Sequence, residues 1–169
     1  MATTQDSARV PEVIAPGSGH HLHFLNHLAT IRVSAGEHGS MSVVEFQASR
    51  GFGPPLHRHE TEDELFVLID GELALRSGDD RVTATAGDLA FLPHGRAHTF
   101  QVLSDTARFT CVTSSRAGAP QFDRMVAELG EPVDVPGLPD PGYVDATRVA
   151  DVCRRYGIDV LGPPPEALP

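Results

Sequence analysis

The 169-residue chain is one domain by size, and 40% hydrophobic with 21% charged residues is the composition of an ordinary globular protein. Its formal net charge of -10, from 23 acidic against 13 basic residues, repels phosphate backbones and anionic lipid, so nucleic acid and membranes are poor partners. Aromatic residues make up only 6% and tryptophan is absent, which removes a stacking platform for single-stranded nucleic acid as well.

Residues 1–18 are polar, punctuated by Pro11, Pro16 and Gly17, and read as a loose arm. They hold no apolar core of signal-peptide length, and no apolar run in the chain approaches the ~18 residues of a membrane span, so the expectation is a cytoplasmic protein. Over residues 19–115 the hydrophobic period is two. The short runs HLHFL (21–25), LATIRVS (28–34) and MSVVEFQA (41–48), with the turn AGEHGS between the last two, are followed by ELFVLIDG, ELALRSG, RVTATAG, DLAFLP, HTFQVLS and ARFTCVTSS. Many short strands separated by Gly and Pro turns predict an all-β sandwich or barrel. Residues 116–169 change grammar. PQFDRMVAELG places Phe122, Met125, Val126 and Leu129 on one helical face between Pro120 and Gly130. DATRVADVCRRYG repeats the pattern with Asp145 as N-cap and Val149, Val152, Cys153 and Tyr156 on one face. Each helix must bury its single apolar face, and the outer surface of the sheet is the expected partner; a helix pair that merely covers exposed sheet is the leading expectation, and one helix closing the barrel mouth is the alternative. The proline-rich end GPPPEALP is expected to be extended and mobile. Cys111 and Cys153 are too few and too far apart for a disulfide framework and are expected as small buried side chains.

The chemistry gathers at the stretch GFGPPLHRHETEDELFVLIDG, residues 51–71. His57 and His59 are two apart, so on an extended segment both imidazoles point to the same side. Glu64 opens the next apolar strand and can return to that side after the turn. His98 comes from the separate segment PHGRAHTF, and can join the other three only if the sheet closes on itself. Three imidazoles and a carboxylate suit several first-row divalent metals and leave two positions open on an octahedral ion. A closed structural zinc site more usually includes thiolates.

The spacing resembles the two motifs of the cupin superfamily. Gly51, five residues, His57-Arg58-His59, four residues, Glu64, six residues and Gly71 is similar to the first motif. Gly87, five residues, Pro93-His94-Gly95, two residues and His98 is similar to the second, except that Val102 stands where that motif closes on asparagine. The departure falls on no ligand and points to a different pocket wall. The apolar ELFVLIDGEL and the closing RRYGIDVLGPP further resemble small cupins grouped with quercetin dioxygenases. The resemblance implies a double-stranded β-helix, or jelly-roll barrel, with two C-terminal helices. It also implies one divalent transition metal (Fe, Ni, Mn, Co, Cu or Zn) bound by His57, His59, Glu64 and His98. The alternative is a barrel without metal, used for binding or oligomerisation.

Other polar groups compete for attention. Glu60, Glu62 and Asp63 read as a solvated loop edge, although Glu62 shares strand parity with Glu64. His94, in the turn of the second motif, is expected to face solvent. His20, His21, His23 and His27 read as an edge strand with solvent-facing histidines, or as a contact with a second subunit. Alternation from His98 and Glu64 places Phe100, Val102, Phe66 and Leu68 inward, with Phe46, Phe109 and Cys111 as further candidates for an apolar pocket. The leading expectation is therefore a metal-dependent oxygenase acting on a small, apolar, enolisable or aromatic compound, with Glu64 as both ligand and base. A metal-dependent cyclase or isomerase of a polyketide-like or sugar-like substrate, and a small-molecule-binding protein without catalysis, stay open beside it. A homodimer pairing through the HLHFL strand is expected.

Overall fold

The structure is a computed structural model and describes residues 11–166; the first ten residues of the expected arm and residues 167–169 of the expected mobile end lie outside the described residues. In chain order the strands are β1 (His20–Phe24), β2 (His27–Val33), β3 (Met41–Ser49), β4 (His57–His59), β5 (Glu62–Asp70), β6 (Glu72–Ser77), β7 (Asp80–Thr85), β8 (Leu89–Leu92), β9 (His98–Val102), β10 (Thr106–Ser115), β11 (Glu131–Pro132) and β12 (Ile158–Val160). The helices are α1 (Ala35–His38), α2 (Phe122–Leu129) and α3 (Ala146–Arg155). A seven-stranded sheet runs β11-β1-β2-β3-β10-β5-β8 and a five-stranded sheet runs β12-β4-β9-β6-β7, with antiparallel pairing throughout. The two sheets face each other as a jelly-roll barrel. Among the described residues no helix is long and apolar enough to cross a membrane.

The period-two pattern does what it predicts. In β5, Glu62, Glu64, Phe66 and Leu68 are buried while Asp63, Leu65 and Val67 are less so, and β3 and β10 alternate in the same way. Their inward phenyl rings meet at the centre: Phe109 lies 5.4, 5.0 and 5.2 Å, centroid to centroid, from Phe46, Phe66 and Phe100. Rings tilted at such distances add to the burial of their area.

Four elements depart from expectation. The AGEHGS turn contains the one-turn helix α1, whose N-cap Ser34 accepts from the Gly36 amide. HLHFL is not an open edge, because β11 pairs with β1 on its outer side. The residues after α3 are not free: β12 pairs with β4, the Leu161 amide donates to the Leu56 carbonyl (2.7 Å), and the Gln101 amide donates to the Glu166 carbonyl (2.9 Å). This tail covers the outer face of β9, which is why Thr99 and Gln101 are buried along with their inward neighbours.

The fourth departure concerns the helices. They form where predicted, and the Asp145 carboxylate caps α3 by accepting from the Thr147 and Arg148 amides at 3.0 and 3.1 Å. Their apolar faces, however, turn to the barrel's open end rather than its outer surface: Phe122 and Met125 of α2 and Val149 and Cys153 of α3 line the same cavity as Phe66 and Phe100. An open barrel mouth exposes more apolar area than the polar outer face of a sheet, so that is where an amphipathic helix gains most by docking. Asp123, buried in α2, accepts from the Ser34 hydroxyl (2.8 Å) and the Ala35 amide (3.2 Å), and so moors the roof to the rim.

Candidate metal centre

The approach to the site is set by a close backbone passage. Gly53 runs so near β9 that a Cβ would collide with the Phe100 carbonyl, so only glycine lets the chain reach β4 on this path. β4 then pairs with β9, setting His57 directly opposite His98. Glu64 enters from β5 of the facing sheet. One ligating atom from each of His57, His59, Glu64 and His98 lies within 4.8 Å of the other three. Three of the four residues are buried, and His57 is half-buried at the cavity.

The orientation of each ring is fixed from behind. His57 Nδ1 donates to the Pro55 carbonyl (2.8 Å), His98 Nδ1 to the Arg96 carbonyl (3.2 Å), and His59 Nδ1 to a carboxylate oxygen of Glu62 (3.3 Å). A carbonyl only accepts, so Nδ1 of His57 and of His98 carries the proton, and the Nε2 lone pairs are left for the centre. Nε2 of His59 and His98 lie 3.3 and 2.8 Å from Glu64 Oε2. These three atoms are nonetheless buried without an aligned hydrogen-bond partner. Buried polar atoms are ordinarily satisfied, and a cation is what three convergent orphans of this kind could hold.

The electrostatics differ from ring to ring. Burial pushes the His57 pKa down to about 3, helped by His98 and His59, so its imidazole is neutral and able to ligate. Burial would also lower His59, but Glu64 and Glu62 outweigh it and raise that group. Burial alone would raise Glu64; His59, followed by His98 and His57, reverses this and holds the carboxyl well below the usual range. Cys111 is pushed well above the ordinary thiol range by burial and then by Glu64, so it stays protonated and donates its S–H to Glu64 Oε1 at 3.3 Å. That bond occupies one oxygen and leaves Oε2 facing the imidazoles. The donor set of three imidazole nitrogens and one carboxylate oxygen fits a first-row divalent ion.

Above this point lies an interior cavity in which a water molecule's centre has about 70 Å³ to move. Of the predicted pocket residues, Phe46, Phe66, Phe100 and Phe109 line it together with His57 and Glu64. Leu68 and Val102 do not: both are buried deeper in the barrel core, because alternation fixes the side of the sheet but not the depth along the strand. Cys111 also misses the cavity wall and stands behind Glu64. The loop-edge reading holds for Glu60, which is exposed, and largely for Asp63, which accepts from the His94 ring (2.7 Å) at the surface. It fails for Glu62, which is buried and braces both His59 and the Gln121 amide at the start of α2. Its parity with Glu64 was the signal.

The N-terminal histidines divide. His20 is exposed, His21 bonds to the Thr30 hydroxyl (3.0 Å), and His23 bonds to the Gly137 carbonyl (3.1 Å). His27 departs from the solvent-facing reading: it is 3% exposed and lines the cavity. Its shared face with Ala29 and Ile31 on β2 could have revealed it.

Comparison with known proteins agrees with this architecture. Residues 42–113 match the family described as "Cupin domain". A curated relative, quercetin 2,3-dioxygenase of Bacillus subtilis (strain 168), is 24% identical over 153 residues, covering 85% of this chain. The chain spans only 44% of that relative's length. A solved structure of a predicted oxalate decarboxylase from Thermotoga maritima superposes with a TM-score of 0.55 at 18% identity, covering 62% of this chain and 99% of that one. Oxalate decarboxylase from Bacillus subtilis superposes at 0.53 with 23% identity, over 59% of this chain and 28% of that one.

Proposed function

We propose that the chain, whose residues 42–113 match the cupin-domain family, is a metal-dependent oxygenase acting on a small, apolar, enolisable or aromatic compound. The observation that carries the reading is the convergence of three imidazoles and a carboxylate on the wall of an otherwise apolar, phenyl-lined cavity. In this reading His57, His59, Glu64 and His98 hold one divalent transition ion, which when bound supplies Lewis acidity toward an enolic oxygen and a route to oxygen chemistry. Glu64, whose Oε1 is engaged by Cys111 and whose Oε2 faces the imidazoles beside the cavity, is the carboxylate placed to accept the substrate's hydroxyl proton on binding. The phenyl rings position a flat substrate. The roof formed by α2 and α3 keeps water from the reacting carbon, since a polar contact is worth more in a dry site. The distant likeness to a quercetin dioxygenase supports the same class.

The test is oxygen uptake by protein loaded separately with iron, nickel, manganese, cobalt, copper and zinc, against a panel of hydroxy-enones and catechols, repeated without oxygen. Oxygen consumed in step with substrate is expected. Turnover in its absence would transfer the site to a cyclase or isomerase, and stoichiometric binding without product would make it a carrier.

The reading includes a cytoplasmic setting, in keeping with two free, buried thiols. It also includes a homodimer, but one that pairs elsewhere than through β1. Val82 on β7 and Leu89 and Phe91 on β8, the terminal strands of the two sheets, are each more than 60% exposed and form one apolar surface for a second copy.

A further inference from the structure

His27 is a histidine in an apolar place with half of its hydrogen-bonding capacity unused. Its ring lies 4.1 Å from that of Phe52 and 5.1 Å from those of Phe24 and Phe46, centroid to centroid. The residue is buried and lines the same cavity as His57 and Glu64. Nδ1 bonds to the Leu25 carbonyl at 3.3 Å. A carbonyl has no proton to give, so Nδ1 is the donor, and in the neutral ring Nε2 is a bare acceptor. Burial lowers the His27 pKa to about 3, which keeps the ring neutral. Nε2 makes no hydrogen bond among the described residues.

The tautomer is set by the same device that sets two of the candidate ligands. His57 and His98 each give Nδ1–H to the carbonyl two residues earlier, as His27 does. For His27 the carbonyl belongs to the two-residue turn that joins β1 to β2. Leu25 and Asn26 have φ of 49° and 68°, left-handed conformations that a leucine rarely adopts. The turn is held from outside by the Asn26 side chain, which both donates to the Gly142 carbonyl and accepts from its amide, each at 2.9 Å. A phenylalanine would fill this space without an unsatisfied nitrogen.

We propose that His27 is a specificity residue of the candidate site, whose Nε2 accepts a hydrogen bond from a hydroxyl or N–H group on the substrate, remote from the oxygen held at the His57–Glu64 end. The inference rests on the proposed function and narrows it: the substrate is a two-ended compound, an enol or phenol at one end and a hydrogen-bond donor at the other, joined by a flat apolar body. A substrate lacking the second group leaves Nε2 facing an occupied cavity without a partner, and discrimination of that kind is strong where an apolar pocket alone discriminates weakly.

The test uses zinc-loaded protein kept free of oxygen, so that no oxygen chemistry accompanies binding, and isothermal titration with two matched pairs of probes of different reach. The short pair is 5-hydroxy-2-(hydroxymethyl)-4-pyranone and its 2-methyl analogue; the long pair is 4′,3-dihydroxyflavone and 3-hydroxyflavone. In the unaltered protein the member with the remote hydroxyl should bind about tenfold more tightly in at least one pair. His27→Phe should erase that preference while leaving the affinity of the lesser member within about threefold. His27→Gln, whose amide oxygen reaches the position of Nε2, should restore part of it. Melting curves of both variants check that the barrel persists, and should His27→Phe fail to fold, His27→Gln against His27→Leu gives the same comparison. If the lesser members bind but no preference exists, or if it survives in His27→Phe and His27→Leu, the role assigned to His27 is wrong and the metal-site reading stands. If none of the four probes binds, the enol-binding reading itself falls, and this inference with it.

Discussion

At the scale of single residues, each member of the site has a distinct expected loss. His57→Ala, His59→Ala or His98→Ala should abolish metal retention in a folded barrel, because each removes a lone pair that the protein has oriented from behind. Glu64→Gln keeps a weak oxygen ligand but cannot accept a proton, so metal content should partly survive while turnover falls on the order of a hundredfold or more. Normal turnover in that variant would show the base lies elsewhere. His21→Ala and His23→Ala, bonded to Thr30 and Gly137 away from the cluster, serve as controls that should retain metal. Glu62→Gln touches no substrate yet should weaken metal affinity by about 10–100-fold, measured by competition with a chelator, because it orients His59. Cys153, pushed up to about 11 by burial, should resist alkylation at about pH 8 until the protein is unfolded. Mass spectrometry of native and denatured samples reads this directly.

At the scale of elements, the roof decides what the C-terminal region is for. Removing residues 141–169 would strip Val149, Val152 and Ile158 from the core and β12 from the flank of β4, on which His57 and His59 sit. The expected result is aggregated or metal-free protein; a stable barrel with full metal content would show instead that the roof is only a cover. A milder change isolates the cap: Asp145→Ala removes the acceptor for two amides and should cost about 1 kcal/mol. Thermal denaturation should register this as a fall of about 2–8 °C. Much of this level was legible in the sequence. Strand parity brought His57 and His59 to one side and Glu64 and Phe66 to the facing wall, and the N-cap of α3 was written in Asp145. What could not be read was where an amphipathic helix docks, since a single apolar face such as Phe122-Met125-Val126 says that a partner exists but not which. For the same reason Leu68 and Val102, correct in parity, were misplaced in depth, and β11 and β12, at two and three residues, were too short to carry a period.

At the scale of the whole molecule, the acidic surface and the apolar interior divide the work between solution and site. The net charge of -10 sets the protein against anionic partners, while among the described residues the polar side chains that line the cavity are His27, His57 and Glu64, beside the buried thiol of Cys153. Assembly belongs to this scale too. Val82→Lys combined with Phe91→Lys places charge on the exposed ends of both sheets and should halve the mass seen by light scattering at micromolar concentration. A monomeric mass for the unaltered protein would remove the dimer altogether.

The pairing of β12 with β4 has a consequence in time. Ile158 lies opposite His59, and the Arg58 side chain donates to Asp159 across a separation of 101 positions. During synthesis, therefore, the strand carrying two of the four candidate ligands has its outer neighbour only after residue 160 has left the ribosome, long after the rest of both sheets could have paired. A nascent chain halted before that point should display β structure without retaining metal, so that loading waits for the last strand to close the seam.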